Sequence, residues 1–451
     1  MKKQMIAAMI MSITSSYRVQ ALNNLPLPKR NAAASFHSYT NSNVNANVFS
    51  KQSKSRITYT TSTKLFAARS KKTVKLTYAD ILTKEDGIMH PRSLSDGTIP
   101  SPKALSPSAA AEFKACPQSY LFQYLYGIRQ PTNTALAKGS VCHSALEQLY
   151  DLQPSQRTLP NLHNLFRKNW SSERMSNDYK DLFDRQDEIS GGVSRDMDAE
   201  RQWGNEALSI LENYFQLEDP RLIPSPNPIE REIWVNAKLA FDPSLGSTGS
   251  HPKPMTEDDP EDRFLVRGIV DRLDFVAIPP SPRDAFNRHN GDESESSMQS
   301  CVRIVDYKTG KAPDFKYSPA TNERIASENM WQLKIYALLL REMIANGKNR
   351  SRSGNLKNIN AQDLRLLRLL YLTSKEGEAR WLDLDLGETE QERDEALQEV
   401  HVELVEIWES ILALVAEQDP RSFVHCDRKF CFCHKIRPKF EHGSLYQHEH
   451  L

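Results

Sequence analysis

The sequence has few cysteines and no long apolar run. Six cysteines in 451 residues are too few and too scattered for the disulfide framework of a small secreted protein. No apolar stretch approaches the ~20 residues that a membrane-spanning helix requires, so we expect no membrane partner. A chain of this length can bury one large core or two medium ones without such aids.

Acidic residues are absent from the first 79 positions, which carry 13 lysines or arginines. Basic and acidic residues both total 58 over the whole chain, so residues 80–451 have a net charge of −13. This balance argues against a protein that coats nucleic acid non-specifically, because such binding depends on many lysine and arginine contacts to phosphate. A localised nucleic-acid site remains compatible with it.

The amino-terminal composition is typical of organelle targeting. Residues 1–75 are rich in Ser, Thr, Asn and basic residues, as transit peptides are. The first 21 residues, MKKQMIAAMIMSITSSYRVQA, also resemble a short signal peptide. A signal peptide followed by a transit-like stretch favours a plastid, with a mitochondrion or a merely disordered basic tail as alternatives. We assign residues 76–103 to a linker.

Order is predicted from residue 104 onward, in a helical part. The stretch LSPSAAAEFKACPQSYLFQYLYG predicts two short helices that meet at Cys116, because Pro117 breaks the pattern there. Ser106 is a suitable N-cap before Pro107, and Gly127 ends the second helix. A helix over about 140–152 and two more between 158 and 217 follow.

The pattern then changes to the alternation of strands. Residues 230–241, 263–278 and the stretch CVRIVDYKTG predict three strands, interrupted by polar insertions at 243–262 and 279–300. A helix over about 326–346, two strands and a helix over 389–417 complete the pattern. We predict an α/β fold over residues 104–440, a mixed central sheet flanked by helices with a helical amino-terminal part, and a tail at 441–451.

Two acids in neighbouring predicted strands are candidates for a metal site. In IVDYKTGKAP, Asp306 and Lys308 share one face of a strand, since side chains alternate. Asp271 lies in the buried middle of FLVRGIVDRLDFVAI, where a carboxylate costs several kcal/mol unless it is paired or binds metal. A hairpin would lay the two acids side by side, which suits Mg²⁺ or Mn²⁺. The alternative for Asp306 and Lys308 is a surface salt bridge.

Two helices offer further polar pairs, each one turn apart. His143 precedes Glu147 in GSVCHSALEQLY, and Gln332 precedes Tyr336 in WQLKIYALLL. Each pair has an ordinary structural interpretation as an interface residue or a half-buried helix face. Their order along the chain, together with the two strands, carries more information than any of them alone.

A helix with G-x-x-x-H, a strand with G-x-x-D, a strand with D-x-K and a helix with Q-x-x-x-Y resemble the RecB-type branch of the PD-(D/E)XK nuclease superfamily, over roughly residues 104–440. The resemblance implies a restriction-endonuclease-like core. It implies that Asp271 and Asp306 bind metal, with the Tyr307 carbonyl and His143 as further ligands. It also implies that Lys308 assists the attacking water, and that Gln332 and Tyr336 position the DNA strand and the lysine.

The cysteines depart from that branch. Members with an iron–sulfur cluster pair an early cysteine with three late ones spaced C-x2-C-x5-C, whereas here the late spacing is C-x4-C-x-C. The four candidates are Cys116, Cys426, Cys431 and Cys433. Thiolates suit an iron–sulfur cluster or Zn²⁺, to which His425 or His434 could contribute, and a packed clasp without metal is the third alternative.

The resemblance implies a Mg²⁺-dependent deoxyribonuclease that acts as an exonuclease. With the amino-terminal composition, we expect it to act in organellar DNA repair, recombination or turnover. DNA is the expected partner, and a helicase or repair protein is a conceivable second one. The alternative is a nucleic-acid-binding or assembly factor that has lost catalysis and keeps a Cys-rich metal clasp. The complete D…D-x-K set argues against it, because a scaffold has no reason to retain clustered carboxylates.

Overall fold

The computed structural model of the protein describes residues 98–441, except for 129, 187–191, 224–227, 243–262, 279–298, 348–355, 357–358 and 375. The predicted targeting segment and most of the predicted linker lie outside these residues. So do the insertion 243–262, all but the last two residues of the insertion 279–300, and all but one residue of the tail. The described residues fall within one compact unit of the chain.

The amino-terminal part is helical, as predicted. Its helices are α1 (Pro107–Ala115), α2 (Pro117–Tyr120, extended by a π-helical turn over Leu121–Leu125), α3 (Thr134–Leu149), α4 (Leu159–Glu173) and α5 (Met197–Leu217). The Ser106 hydroxyl accepts a hydrogen bond from the Ala109 amide and caps α1. Helix α3 begins earlier than predicted because Asn133 caps it, its side chain accepting from the Leu136 amide.

A five-stranded mixed sheet follows. It comprises β3 (Glu230–Ala240), β4 (Arg263–Ile278), β5 (Gln299–Lys311), β6 (Leu364–Thr373) and β7 (Arg380–Asp385), after a small hairpin of β1 (Asp184–Gln186) and β2 (Val193–Arg195) that was not predicted. The strands are ordered β3-β4-β5-β6-β7. Only β5 and β6 pair in parallel, since α6 (Pro319–Ala345) connects them, and the other neighbours are antiparallel.

Helices cover both faces of the sheet. On one face α1, α6 and α7 (Glu390–Glu417) form a core with the sheet, which the last helix, α8 (Phe432–Glu441), joins. On the other face α3, α4 and α5 pack their apolar side chains against β5 and β6, and they contact β3 and β4 through polar side chains around Asp271 and Arg272. The mixed sheet between helical layers confirms the predicted restriction-endonuclease-like α/β fold. None of the described helices is long and apolar enough to cross a membrane.

Candidate active site at the fork of the sheet

The central sheet divides where β4 and β5 part. These strands pair from Ile278↔Gln299 to Arg272↔Val305 and no further. Beyond that point β5 continues beside β6, whereas β4 continues beside β3. Leu105 fills the edge of β4 that β5 leaves: its amide donates to the Leu265 carbonyl at 2.8 Å and its carbonyl accepts from the Arg267 amide at 3.0 Å. Asp271 and Asp306 are the first residues past the last β4–β5 pair, so they lie at the fork.

Glu232 joins these two acids from the edge strand. The pairs Arg231↔Arg272 and Ile233↔Val270 place Glu232 directly opposite Asp271. Its φ of 45° is left-handed, which costs a non-glycine residue about 1–3 kcal/mol. The side chains therefore switch faces here, since Ile233 belongs to the core beneath α6 while Arg231 bonds to the Glu147 carbonyl on α3. The strained residue adds a third carboxylate to the row.

A histidine from α3 completes a group of metal-ligating atoms. His143 Nδ1 lies 3.3 Å from Asp271 Oδ2, and the same oxygen accepts a hydrogen bond of 2.9 Å from the Tyr307 amide. Ligand atoms of His143, Glu232 and Asp271 all lie within 4.8 Å of one another. Two carboxylates and an imidazole at this separation can share one divalent cation.

Lys308 occupies the α6 side of the fork. Its Nζ lies 2.7 Å from Asp306 Oδ2 and donates a hydrogen bond of 3.1 Å to Gln332 Oε1. Gln332 Nε2 in turn donates to the Tyr336 hydroxyl at 2.6 Å. The ring of Tyr336 lies over Gly268, where an added Cβ would come within 2.5 Å of it. The G-x-x-D glycine of β4 thus makes room for the tyrosine that ends this chain of hydrogen bonds.

Asp306 itself is almost fully buried. Its contact with Lys308 is an ion pair without hydrogen-bond geometry, and among the described residues Oδ2 accepts no hydrogen bond. A buried carboxylate oxygen with an open lone pair is a costly arrangement. A cation bound at the fork would satisfy it.

Crowding of the acids changes their protonation. Burial raises the pKa of Asp271 to about 6, and the Asp306 carboxylate adds to that rise. Burial also raises the pKa of Glu232 to about 7, with the charges of Asp271, Glu147 and Asp306 adding to it. Carboxylates that repel one another in this way fit a divalent cation between them. The residues present therefore fit an oxygen-preferring ion such as Mg²⁺ or Mn²⁺, and the imidazole is better suited to Mn²⁺.

A buried arginine on β4 links this strand to β5 and to the ends of α3 and α5. Arg272 is 1% exposed and forms a bidentate pair with Asp274, with oxygens 2.6 to 3.1 Å away. It also pairs with Glu218 at the end of α5 and donates to the hydroxyls of Tyr150 at 3.1 Å and Tyr307 at 2.8 Å. Since Arg272 and Tyr307 follow Asp271 and Asp306 directly, this cage fixes the backbone on which both acids stand.

The structure brings together most of the residues predicted from sequence. His143, Asp271, Asp306, Lys308, Gln332 and Tyr336 all lie at the fork. The Tyr307 side chain points instead into the arginine cage, so that only its backbone can serve the site. Glu232 was not predicted from the sequence. An acid near the start of a strand is common, and only the pairing of β3 with β4 shows that this one lies opposite Asp271. Since Glu230 and Arg231 directly precede it, the local sequence gives no signal that singles it out.

The four candidate cysteines also converge. Their Sγ atoms all lie within 4.8 Å of one another, and none is in a disulfide. Burial raises the pKa of Cys116 to about 11. Burial acts in the same direction on Cys426, but the Arg428 guanidinium, with Nε 3.4 Å from Sγ, overcomes it and lowers the pKa of Cys426 to about 6. The His434 ring bonds to the Cys426 carbonyl at 2.7 Å and stays outside the thiol group.

Comparison with known proteins agrees with this geometry. The sequence model of the PD-(D/E)XK nuclease superfamily matches residues 104–281 and 293–436, most of the chain. The unmatched stretch between them lies inside the second predicted insertion. A search of curated proteins finds no match.

Proposed function

The chain belongs to the PD-(D/E)XK nuclease superfamily, and we propose that it is a metal-dependent deoxyribonuclease of the RecB-type branch, acting as an exonuclease. The observation that carries the proposal is the fork, where Asp271 and Asp306 are the first residues past the last β4–β5 pair. Glu232 lies opposite Asp271, and Lys308 forms an ion pair with Asp306. Nothing in the packing of the sheet requires three carboxylates there, and burying them without a cation is unfavourable.

The acids and the histidine would hold the ion. Asp271 is fixed by the Tyr307 amide and by His143, so its Oδ2 has a set position before any ion binds. Asp306 offers an oxygen that accepts no hydrogen bond among the described residues. Glu232 supplies the third carboxylate and needs little movement, because its backbone already holds the unusual conformation. A divalent ion bound here supplies polarisation of the phosphate and a more acidic water.

Lys308 would act on the substrate rather than on the ion. Its ammonium is held between Asp306 and Gln332, within reach of a phosphate oxygen placed at the fork. In that position it can stabilise the negative charge that develops on the phosphate during attack. Gln332 and Tyr336 would set the direction of the lysine, since they form one hydrogen-bonded chain with it.

For the thiols we propose a single Zn²⁺ ion as a structural clasp. Four sulfurs around one zinc at about 2.3 Å stand roughly 4 Å apart, and the Sγ atoms here lie within 4.8 Å of one another. Thiolates around an iron–sulfur cluster stand farther apart, because the cluster's own atoms separate them. The clasp would join the junction of α1 and α2 to the start of α8.

We place the activity in an organelle, as a plastid protein in DNA repair, recombination or turnover, with a mitochondrion as the alternative. The support is sequence composition alone: 79 residues without an acid ahead of an acidic remainder. A fluorescent fusion of residues 1–75 that stays in the cytosol would refute this assignment.

A cleavage assay tests the central proposal. The purified full chain is incubated with linear DNA labelled at either end, with circular DNA and with RNA of the same sequence, each with Mg²⁺, Mn²⁺ or EDTA. Metal-dependent release of label from linear but not circular DNA is expected. Cleavage of the circle would make the enzyme an endonuclease, and binding without cleavage under all conditions would favour a catalytically reduced binding protein.

A further inference from the structure

The outer face of β3 and β4 is left open by the helical layers. Helices α3, α4 and α5 pack against β5 and β6, whereas the side chains of β3 that alternate with its buried row point to solvent. Among them Trp234 is 66% exposed. Its partner across the ladder, Ile269, is only partly buried. The Trp234 ring is thus available for stacking, and among the described residues no contact with a cation or another ring covers it.

Two cations lie farther along the same face. Asn236 pairs across the ladder with Arg267, and Lys238 pairs with Leu265. Arg267, Asn236 and Lys238 are exposed. The described part of the chain contains no acidic partner for Arg267 or Lys238 within ion-pair distance. The face therefore combines an aromatic ring with unneutralised positive charge.

This face is continuous with the fork. Trp234 is two residues from Glu232 on β3, and Ile269 is two residues from Asp271 on β4. At ~3.3 Å per residue the tryptophan therefore stands ~7 Å from the row of acids. Farther from the acids, Arg267 lies two residues beyond Ile269 on β4, and Lys238 lies four residues beyond Trp234 on β3. A polymer bound along the two strands would reach the candidate metal site without turning.

We propose that the outer face of β3 and β4 is the docking surface for a single DNA strand that enters the fork, with a base stacked on Trp234 and phosphates at Arg267 and Lys238. The inference rests on the proposed nuclease function. Stacking on one exposed ring requires an unpaired base, and a phosphate chain supplies the charge that the two cations lack. A protein partner fits less well, because it would desolvate two cations that have no acidic partner among the described residues.

Binding is measured on the full chain carrying Asp306→Asn, with EDTA present, so that no cleavage occurs. The probe is a fluorescein-labelled oligothymidylate, compared with a duplex of the same length, and anisotropy is followed over a range of salt. Adding Trp234→Ala should weaken binding of the single strand by roughly 5- to 100-fold, the range for loss of one stacked base. Trp234→Phe should restore most of it. The duplex should bind more weakly than the single strand, and Trp234→Ala should reduce its affinity by a smaller factor.

A second tryptophan gives the matched control. Trp381 on β7, at the opposite edge of the sheet, is also exposed, at 45%, but lies against the Arg368 guanidinium. Trp381→Ala should leave binding unchanged. Arg267→Gln and Lys238→Gln should each reduce the slope of log K against log salt by about 0.7, as expected for one lost phosphate contact to a single strand.

The outcomes separate this inference from the nuclease proposal. Single-strand binding that is insensitive to Trp234→Ala overturns the docking surface and leaves the nuclease intact. If Trp234→Ala weakens binding of the single strand and of the duplex equally, no base stacks on Trp234. Absence of DNA binding and of wild-type cleavage, in a chain that remains folded, overturns both.

Discussion

Two clusters of metal-ligating side chains lie in the described part of this protein, and they are assembled in opposite ways. The fork collects oxygen ligands from three neighbouring strands and a histidine from the helix above them. The thiol cluster joins Cys116 to three cysteines more than 300 residues later, through loops and helix ends. The first is built by the register of a rigid sheet, the second by the docking of two chain segments.

The clusters also differ in how unfavourable it is to hold their side chains together when no metal is bound. Thiols can stay protonated, and burial raises the pKa of Cys116, so most of the thiol cluster can pack as neutral groups. Carboxylates at the fork are held together against their repulsion, which raises the pKa of Asp271 and Glu232. The sheet thus keeps strained, charged groups in place for a ligand, whereas the clasp needs its ligand chiefly for its own stability.

The largest effect expected is that of Asp306→Asn at the fork. It should lower cleavage by about 10³-fold or more, since an ion ligand is lost along with a charge in the reacting centre. Metal affinity measured by calorimetry should fall with it. The stability of the metal-free protein should stay the same or rise, because repulsion is relieved. Asp385→Asn on β7 is the control, and cleavage equal to wild type in Asp306→Asn would remove Asp306 from the site.

Lys308→Ala should affect turnover alone. We expect a loss of roughly 10²-fold, the scale of one preorganised charge, with metal affinity nearly kept and DNA affinity little reduced. The exposed Lys316, which pairs with Asp314, supplies the control variant Lys316→Ala. If the Lys308–Asp306 contact were only a surface ion pair, the change would shift stability by about 0 to 1 kcal/mol and leave the rate unaltered. An active Lys308→Ala enzyme would overturn this strand as the catalytic one.

At the thiol cluster, Cys116→Ser should act on stability and not on chemistry. Elemental analysis should find one zinc per wild-type chain and less in the variant. The free energy of unfolding should fall by about 1–3 kcal/mol, since a metal ligand is lost, while the introduced hydroxyl can still accept the Ser119 amide hydrogen bond that the Cys116 thiol accepts at the start of α2. Protein purified without oxygen that is brown and absorbs near ~400 nm would establish an iron–sulfur cluster instead. Colourless protein without zinc or iron would leave a packed clasp.

The smallest effect concerns pH in the metal-free protein. The folded-state pKa values of Asp271, about 6, and Glu232, about 7, are raised above those of the unfolded chain. For these two groups the folded state binds more protons between about pH 4 and 7, so the stability that they contribute is fully present below about pH 4 and is lost as pH rises through 6 and 7. The loss should be about 1–3 kcal/mol per group.

Chemical denaturation in EDTA at pH 5 and pH 7.5 measures this loss. Glu232→Gln should reduce the change in the free energy of unfolding between the two pH values. Added Mn²⁺ should make the protein more stable at pH 7.5 than at pH 5, because a cation favours the ionised acids. A slope that Glu232→Gln does not alter would show that this acid titrates normally in the folded protein.

Local patterns carried much of the fold. The proline and cap residues around Cys116 determined where α1 ends and α2 begins, and period-two alternation identified β3, β4 and β5. Alternation also placed Asp306 and Lys308 on one face before any pairing was known. These features depend on neighbours within a few residues, so the sequence alone contains them.

Register and docking required the tertiary structure. The place of Glu232 opposite Asp271 depends on pairing between strands separated by an insertion, and its left-handed backbone has no sequence signature. The cage around Arg272 needs Glu218 and Tyr150 from helices that are distant in sequence. The face carrying Trp234 is open only because the helices of that layer cover β5 and β6. Sequence determined which residues could bind metal, but the long-range packing decided which of them meet, since contact between remote segments is a property of the whole fold.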